Sequence, residues 1–140
     1  MSGSPRRTSG VLDAGVVLAR LETDHPAHRA ARAILDRCRD GHISLAISAV
    51  NLAEVLTHAH RFSEVTGVSP LDLLTGFRVS VHSPDAGVAR RVAELASLEG
   101  TSLADRFAAA TAEMLSARLY TTDRALAKAA MRRRIPVSLF

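Results

Sequence analysis

Short apolar runs alternate with helix-length segments along this chain, and that alternation limits the fold more than any other feature of the sequence. Val11-Leu12, His42 to Ile47, Arg78 to His82, Arg118 to Thr121 and Ile135 to Phe140 each read as strands of a few residues. Between them lie segments with helical spacing, most of ten residues or more. Strands separated in this way form right-handed βαβ units and a parallel sheet. The expected class is therefore α/β, with helices on both faces of about five strands. In such sheets ligands collect beyond the carboxyl ends of the strands.

Helix starts follow from the capping residues. Asp24 is expected to cap a helix with Pro26 in its first turn, running through HRAARAILDRCRD to Gly41 with Ala30, Ala33, Ile34 and Cys38 on one side. Ser48 is expected to cap AVNLAEVLTHAHR, and Ser69-Pro70 a short helix over LDLLTGF. Ser83-Pro84-Asp85 starts a helix reaching Gly100. Ser102 opens another, with Asp105 placed to close a capping box. Asp123 is expected to cap DRALAKAAMRRR. Pro136 argues that the last strand lies at a sheet edge.

With 140 residues, 47% of them hydrophobic, a single domain over 10–140 is expected, preceded by a loose tail over 1–9. No run approaches the roughly 18 apolar residues of a membrane span. Cys38 is the only cysteine, which excludes an internal disulfide and fits a reducing cytoplasm. The formal net charge of +4 comes almost wholly from arginine, since Lys128 is the only lysine. Arginine binds phosphate bidentately, but an arginine- and alanine-rich chain also arises from base composition, so charge alone decides nothing.

Four acids stand out. Asp13 and Asp123 end strands, Asp105 begins a helix at the same sheet edge, and Glu54 sits among apolar neighbours a turn and a half into its helix. Each has an ordinary explanation: a turn former, two capping residues and a solvated helix face. Those explanations do not require the acids to share an edge. Together they would make an all-oxygen pocket suited to Mg²⁺ or Mn²⁺. Such ions assist attack of water on a phosphodiester. Other chemistries lack their motifs: there is no G-x-x-x-x-G-K-[ST] loop, no G-x-G-x-x-G after a strand and no G-x-S-x-G elbow. His58 and His60 are too close in sequence to form a metal pair on one helix face. His25 and His28 have no cysteine or histidine cluster beside them.

VLDAGVVLA, SAVNLAEVL, LADRFAAATAEM and LYTTDRAL, in this order, resemble the four acidic motifs of PIN-domain ribonucleases. The size and layout resemble the VapC-type toxins of bacterial toxin–antitoxin pairs. The resemblance implies an α/β/α sandwich around a parallel sheet. It implies Mg²⁺- or Mn²⁺-dependent endonucleolytic cleavage of RNA, often tRNA or rRNA. By position, Asp13, Glu54, Asp105 and Asp123 become the metal-binding catalytic acids, and Thr121 supports them by hydrogen bonding. A homodimer held inactive by a cognate antitoxin protein is implied as well. One position departs from the pattern: Ala14 follows Asp13 where the family usually has Thr or Ser. The alternative is a catalytically inactive PIN-like module that binds RNA or dimerises, and a metal-dependent phosphatase or DNA flap nuclease is a third possibility.

Overall fold

The computed structural model describes residues 7–96 and 100–140. Five strands form one parallel sheet: β1 (Gly10–Leu12), β2 (Leu45–Ser48), β3 (Ser80–His82), β4 (Arg118–Thr121) and β5 (Val137–Leu139). Their spatial order is β3-β2-β1-β4-β5. The chain lays down β1, β2 and β3 in one direction, then returns to place β4 and β5 on the other side of β1. The direction of winding therefore reverses between β1 and β4, and a crevice opens there at the carboxyl ends of the strands.

Side chains alternate between the two faces of the strands, so each strand feeds two cores. Leu12, Leu45 and Ile47 pack with helices α1 (Ala14–Leu21), α2 (His28–Arg39), α3 (Ala49–His58) and α5 (Pro70–Gly76). Val11 and Leu119 face the other way, onto α6 (Ala86–Glu94), α7 (Leu103–Leu115) and α8 (Arg124–Arg132). A fully buried Leu or Ile contributes roughly 1.5–3 kcal/mol. The two clusters give an α/β/α sandwich, the architecture expected from the sequence. With no tryptophan in the chain, its interior is mainly aliphatic, Phe77 being the one buried aromatic among the described residues. The small face of α7, Ala108 to Ala112, is buried and brings that helix close to the sheet.

The capping residues act largely as their identities require. Ser48, Ser69, Asp85, Ser102 and Asp123 each accept a backbone N–H at the start of a helix. Asp24 does not. Residues 24–27 form a turn in which the Ala27 N–H donates to His25 Nδ1 at 3.0 Å. The helix α2 begins only at His28, with Ala27 at its N-cap and no side-chain cap. Its buried face is Ala31, Ile34, Leu35 and Cys38, while Ala33 is exposed. The helix expected after Ser48 stops at His58, and the chain restarts at His60 as α4 (His60–Thr66). β2 starts three residues later than expected and runs on through Ser48. β3 begins only at Ser80, because Arg78 takes a left-handed backbone with φ 62°.

The helix expected to reach Gly100 ends at Glu94, and part of its remainder lies outside the described residues. Ser9 is fixed to the sheet: its N–H donates to Ser44 O at 2.8 Å, and its carbonyl accepts from Arg118 N at 3.0 Å. Residues 1–6 lie outside the described residues. Among the described residues no helix is long and apolar enough to cross a membrane.

Candidate active site

Three of the four acids meet at the crevice between β1 and β4, each held there by the start of a helix. Asp13 follows β1 directly and caps α1, its Oδ1 accepting the Val16 N–H at 3.0 Å. Asp123 follows β4 and caps α8, its Oδ1 accepting from Ala125 N at 2.8 Å and Leu126 N at 3.1 Å. Asp105 lies in the first turn of α7, where its Oδ2 accepts the Ser102 N–H at 3.0 Å and completes a capping box. Among the described residues, Oδ1 of Asp105 and Oδ2 of Asp123 have no protein donor.

Thr121, fully buried at the end of β4, joins two of these acids. Its hydroxyl donates to Asp13 Oδ2 and accepts the Asp123 N–H at 2.9 Å. One side chain thus sets the positions of two carboxylates that are far apart in sequence. Gly15 lets the two segments approach: a Cβ there would stand 2.2 Å from Thr122 Oγ1 and 3.4 Å from Asp13 Oδ1.

Asp13 is only 4% exposed. Burial raises its pKa from 3.8 to about 6, against the hydrogen bonds from Thr121 and Val16; the charges of Asp105 and Asp123 add to the rise. The N-termini of three helices point their positive ends at this edge, yet desolvation and crowding of charge still prevail. This pocket is short of positive charge.

Glu54 lies on α3, the helix that Asn51 fastens to the turn carrying Asp105. It is half-buried there, with no hydrogen bond or ion pair among the described residues. It lies three residues beyond Asn51, which sequence reasoning missed. Asn51 is 1% exposed, and its Nδ2 donates to Ala104 O at 3.0 Å, fastening α3 to the turn that carries Asp105. Its Oδ1 is a buried acceptor with no donor among the described residues. A polar residue one helical turn ahead of Glu54 in an apolar segment was the available signal. Ala14 is buried at the start of α1.

The donor set consists of oxygens alone, which suits Mg²⁺ or Mn²⁺. Among the described residues, no group of three or more His, Cys, Asp or Glu side chains is placed to hold a metal ion between them. The arrangement still fits an ion that keeps several waters and takes only one or two carboxylates directly.

The structure is a parallel α/β sandwich with one buried and two half-buried carboxylates at its winding reversal. The sequence matches the PIN domain over residues 10–131, most of the chain, and the protein belongs to that family. No match was found among curated proteins. Similar solved structures include FitAcB from Neisseria gonorrhoeae, at 24% identity over 91% of this chain and 95% of that one, with a TM-score of 0.64. The sarcin-ricin loop cleaving toxin VapC20 from Mycobacterium tuberculosis is 15% identical over 86% and 95%, with a TM-score of 0.67. The toxin–antitoxin complex VapBC2 from Rickettsia felis, bound to a promoter DNA fragment, is 18% identical over 94% and 98%, with a TM-score of 0.68. At these identities the likeness is one of fold.

Proposed function

We propose that this PIN-domain protein is a Mg²⁺- or Mn²⁺-dependent endoribonuclease and the toxin of a toxin–antitoxin pair, acting in the cytoplasm. The observation that carries the reading is the meeting of Asp13, Asp105 and Asp123 at one crevice, where the burial of Asp13 leaves negative charge uncompensated. One or two of these acids would hold the divalent ion directly and the rest through its waters, with Glu54 completing the set as the family resemblance assigns. Once bound, the ion supplies Lewis acidity and neutralises charge at the reacting phosphodiester.

The chain's own contribution is placement. Thr121 holds the Asp13 carboxylate in one orientation and fixes the backbone of Asp123. The carboxylate oxygens without protein donors, Oδ1 of Asp105 and Oδ2 of Asp123, are the ones able to orient the attacking water and accept its proton. The cationic surface attracts RNA that the acids alone would repel. The toxin assignment draws on the similar structures, one described as a sarcin-ricin loop cleaving toxin and another as a VapBC2 complex. A cognate antitoxin and a homodimer belong to the same reading.

Asp105→Asn keeps the capping geometry while removing a charge. It should lower Mg²⁺-dependent RNA cleavage by a hundredfold or more, on the order of 3 kcal/mol in the barrier. Undiminished cleavage by the purified, folded variant would sink the assignment. The lack, among the described residues, of three acids placed to hold an ion between them favours the second reading, a PIN-like module without chemistry. Calorimetric titration with Mn²⁺ separates the two: the enzyme binds the ion and the Asp105→Asn variant binds it weakly, whereas an inert module binds it in neither form.

A further inference from the structure

The pole opposite the carboxylates carries the amino ends of all five strands and the carboxyl ends of α2, α7 and α8, and it is rich in arginine. Arg78 precedes β3, Arg37 lies in the last turn of α2 beside β2, and Arg7 precedes β1. Arg118 opens β4, and Arg134 precedes β5. All five are exposed, and among the described residues none pairs with a carboxylate. The acids of this pole are otherwise engaged. Asp36 and Asp40 face Arg39, and Glu113 is held by Arg91 and Arg133.

By backbone position the five arginines form a row that follows the sheet edge, the Arg118 guanidinium leaning onto β5, where it donates to Val137 O at 3.1 Å and Ser138 Oγ at 3.4 Å. Register places their strands side by side: Ala46 opposite Ser80, Gly10 opposite both Leu45 and Arg118, and Leu119 opposite Val137. Strands are spaced about 4.8 Å apart, so the row is about 19 Å long. Phosphates on one strand of a duplex recur roughly every 3.4 Å, so it can meet several of them. Helix dipoles account for Arg37, and for Arg78 and Arg134, which directly follow the C-caps Phe77 of α5 and Arg133 of α8, but not for Arg7 and Arg118. Arg78 and Arg134 moreover hold left-handed backbones, φ 62° and 60°, where Gly or Asn is the low-cost residue. Cation chemistry stands there in place of the cheaper turn residue.

We propose that this row is a second RNA contact, a sequence-independent cradle for the phosphodiester backbone on the side away from the acids. It rests on the reading that RNA is the substrate, and it would retain an RNA without taking part in its cleavage. Guanidinium groups suit phosphate geometry, and contacts to phosphate carry no sequence information.

The test uses the full chain and a short fluorescent single-stranded RNA in EDTA, with affinity measured against salt. In the variant Arg78→Asn, Arg118→Gln and Arg134→Asn, the asparagines keep the left-handed turns. Affinity should fall about tenfold or more, and the log–log salt dependence should become shallower by about two, as expected for three lost phosphate contacts. An unchanged affinity and slope in a variant with the parent's thermal midpoint overturns the proposal. So does retained RNA binding together with lost binding to phosphatidylserine vesicles, which would mark a membrane surface instead. Cleavage kinetics in Mg²⁺ keep the two hypotheses apart. RNA held through the row but never cut leaves the cradle standing and removes the nuclease. RNA cut with KM unchanged in the variant does the reverse; the cradle requires a raised KM at constant kcat.

Discussion

Asp13 shows how a single residue can cost stability for the sake of a site. Its pKa rises from 3.8 to about 6 on folding, so between those values the native chain holds a proton that the unfolded chain has released. The contribution of Asp13 to stability is therefore greatest below pH 4, declines as pH rises through the window to about 6, and stays reduced above it. Two pKa units correspond to about 3 kcal/mol. Asparagine caps a helix as well as aspartate does. In EDTA, Asp13→Asn should gain roughly 1–3 kcal/mol above the upper pKa and lose the pH dependence, as read from denaturant midpoints. A variant less stable than the parent at neutral pH would show that the charged form is favoured after all. Thr121→Val should move the other way. It leaves Asp13 Oδ2 without its donor, and unfolding measurements should show a loss of roughly 1–3 kcal/mol.

At the level of elements, the contact between α3 and α7 sets how closely the Glu54 helix approaches Asp105. Asn51 makes that contact with one amide atom and leaves the other unpaired. The two effects oppose each other in Asn51→Leu. The lost bond to Ala104 O costs about 1 kcal/mol, and removal of a buried unpaired acceptor recovers a similar amount. Stability should change by less than about 1 kcal/mol, while RNA cleavage falls about tenfold because the Asp105 turn loses its anchor. A large loss of stability with cleavage intact would mean that Asn51 serves the core. These contacts also mark what the sequence could not show. Ser48, Ser69, Asp85, Ser102 and Asp123 announced their helices because a cap is written in one side chain and its neighbours. The start of α2 carried no such mark: Ala27 caps without a side chain, and the cap-like Asp24-His25-Pro26 is spent in a turn.

Across the whole molecule, strand order was what placed the acids. Alternating strands and helices implied a parallel sheet, and the parallel sheet put Asp13, Asp105 and Asp123 at one edge. The bonds that complete the site, Asn51 to Ala104 and the close approach of Gly15 to Thr122, join segments far apart in the chain and have no local signature. Glu113 plays the corresponding global role on the other face. Burial pushes its pKa up, but hydrogen bonds and charge from Arg133 and Arg91 outweigh that and hold it below the usual range. Its carboxylate ties α6, α7 and the end of α8 together. Stability from this group is present above the ordinary glutamate pKa and is lost as pH falls through the lowered one. Glu113→Gln should cost about 1–2 kcal/mol at neutral pH and flatten the acid limb of the stability curve; thermal melts across the acid range check both.

The hydroxyl that joins the two halves of the crevice comes from a residue 108 positions after the carboxylate it meets. A ribosome must therefore have carried the chain through Thr121 before Asp13 can be oriented. Any chain released early carries the first acid without its fastening. A chain that stops short of Thr121 therefore lacks a finished crevice, whatever else of it has folded.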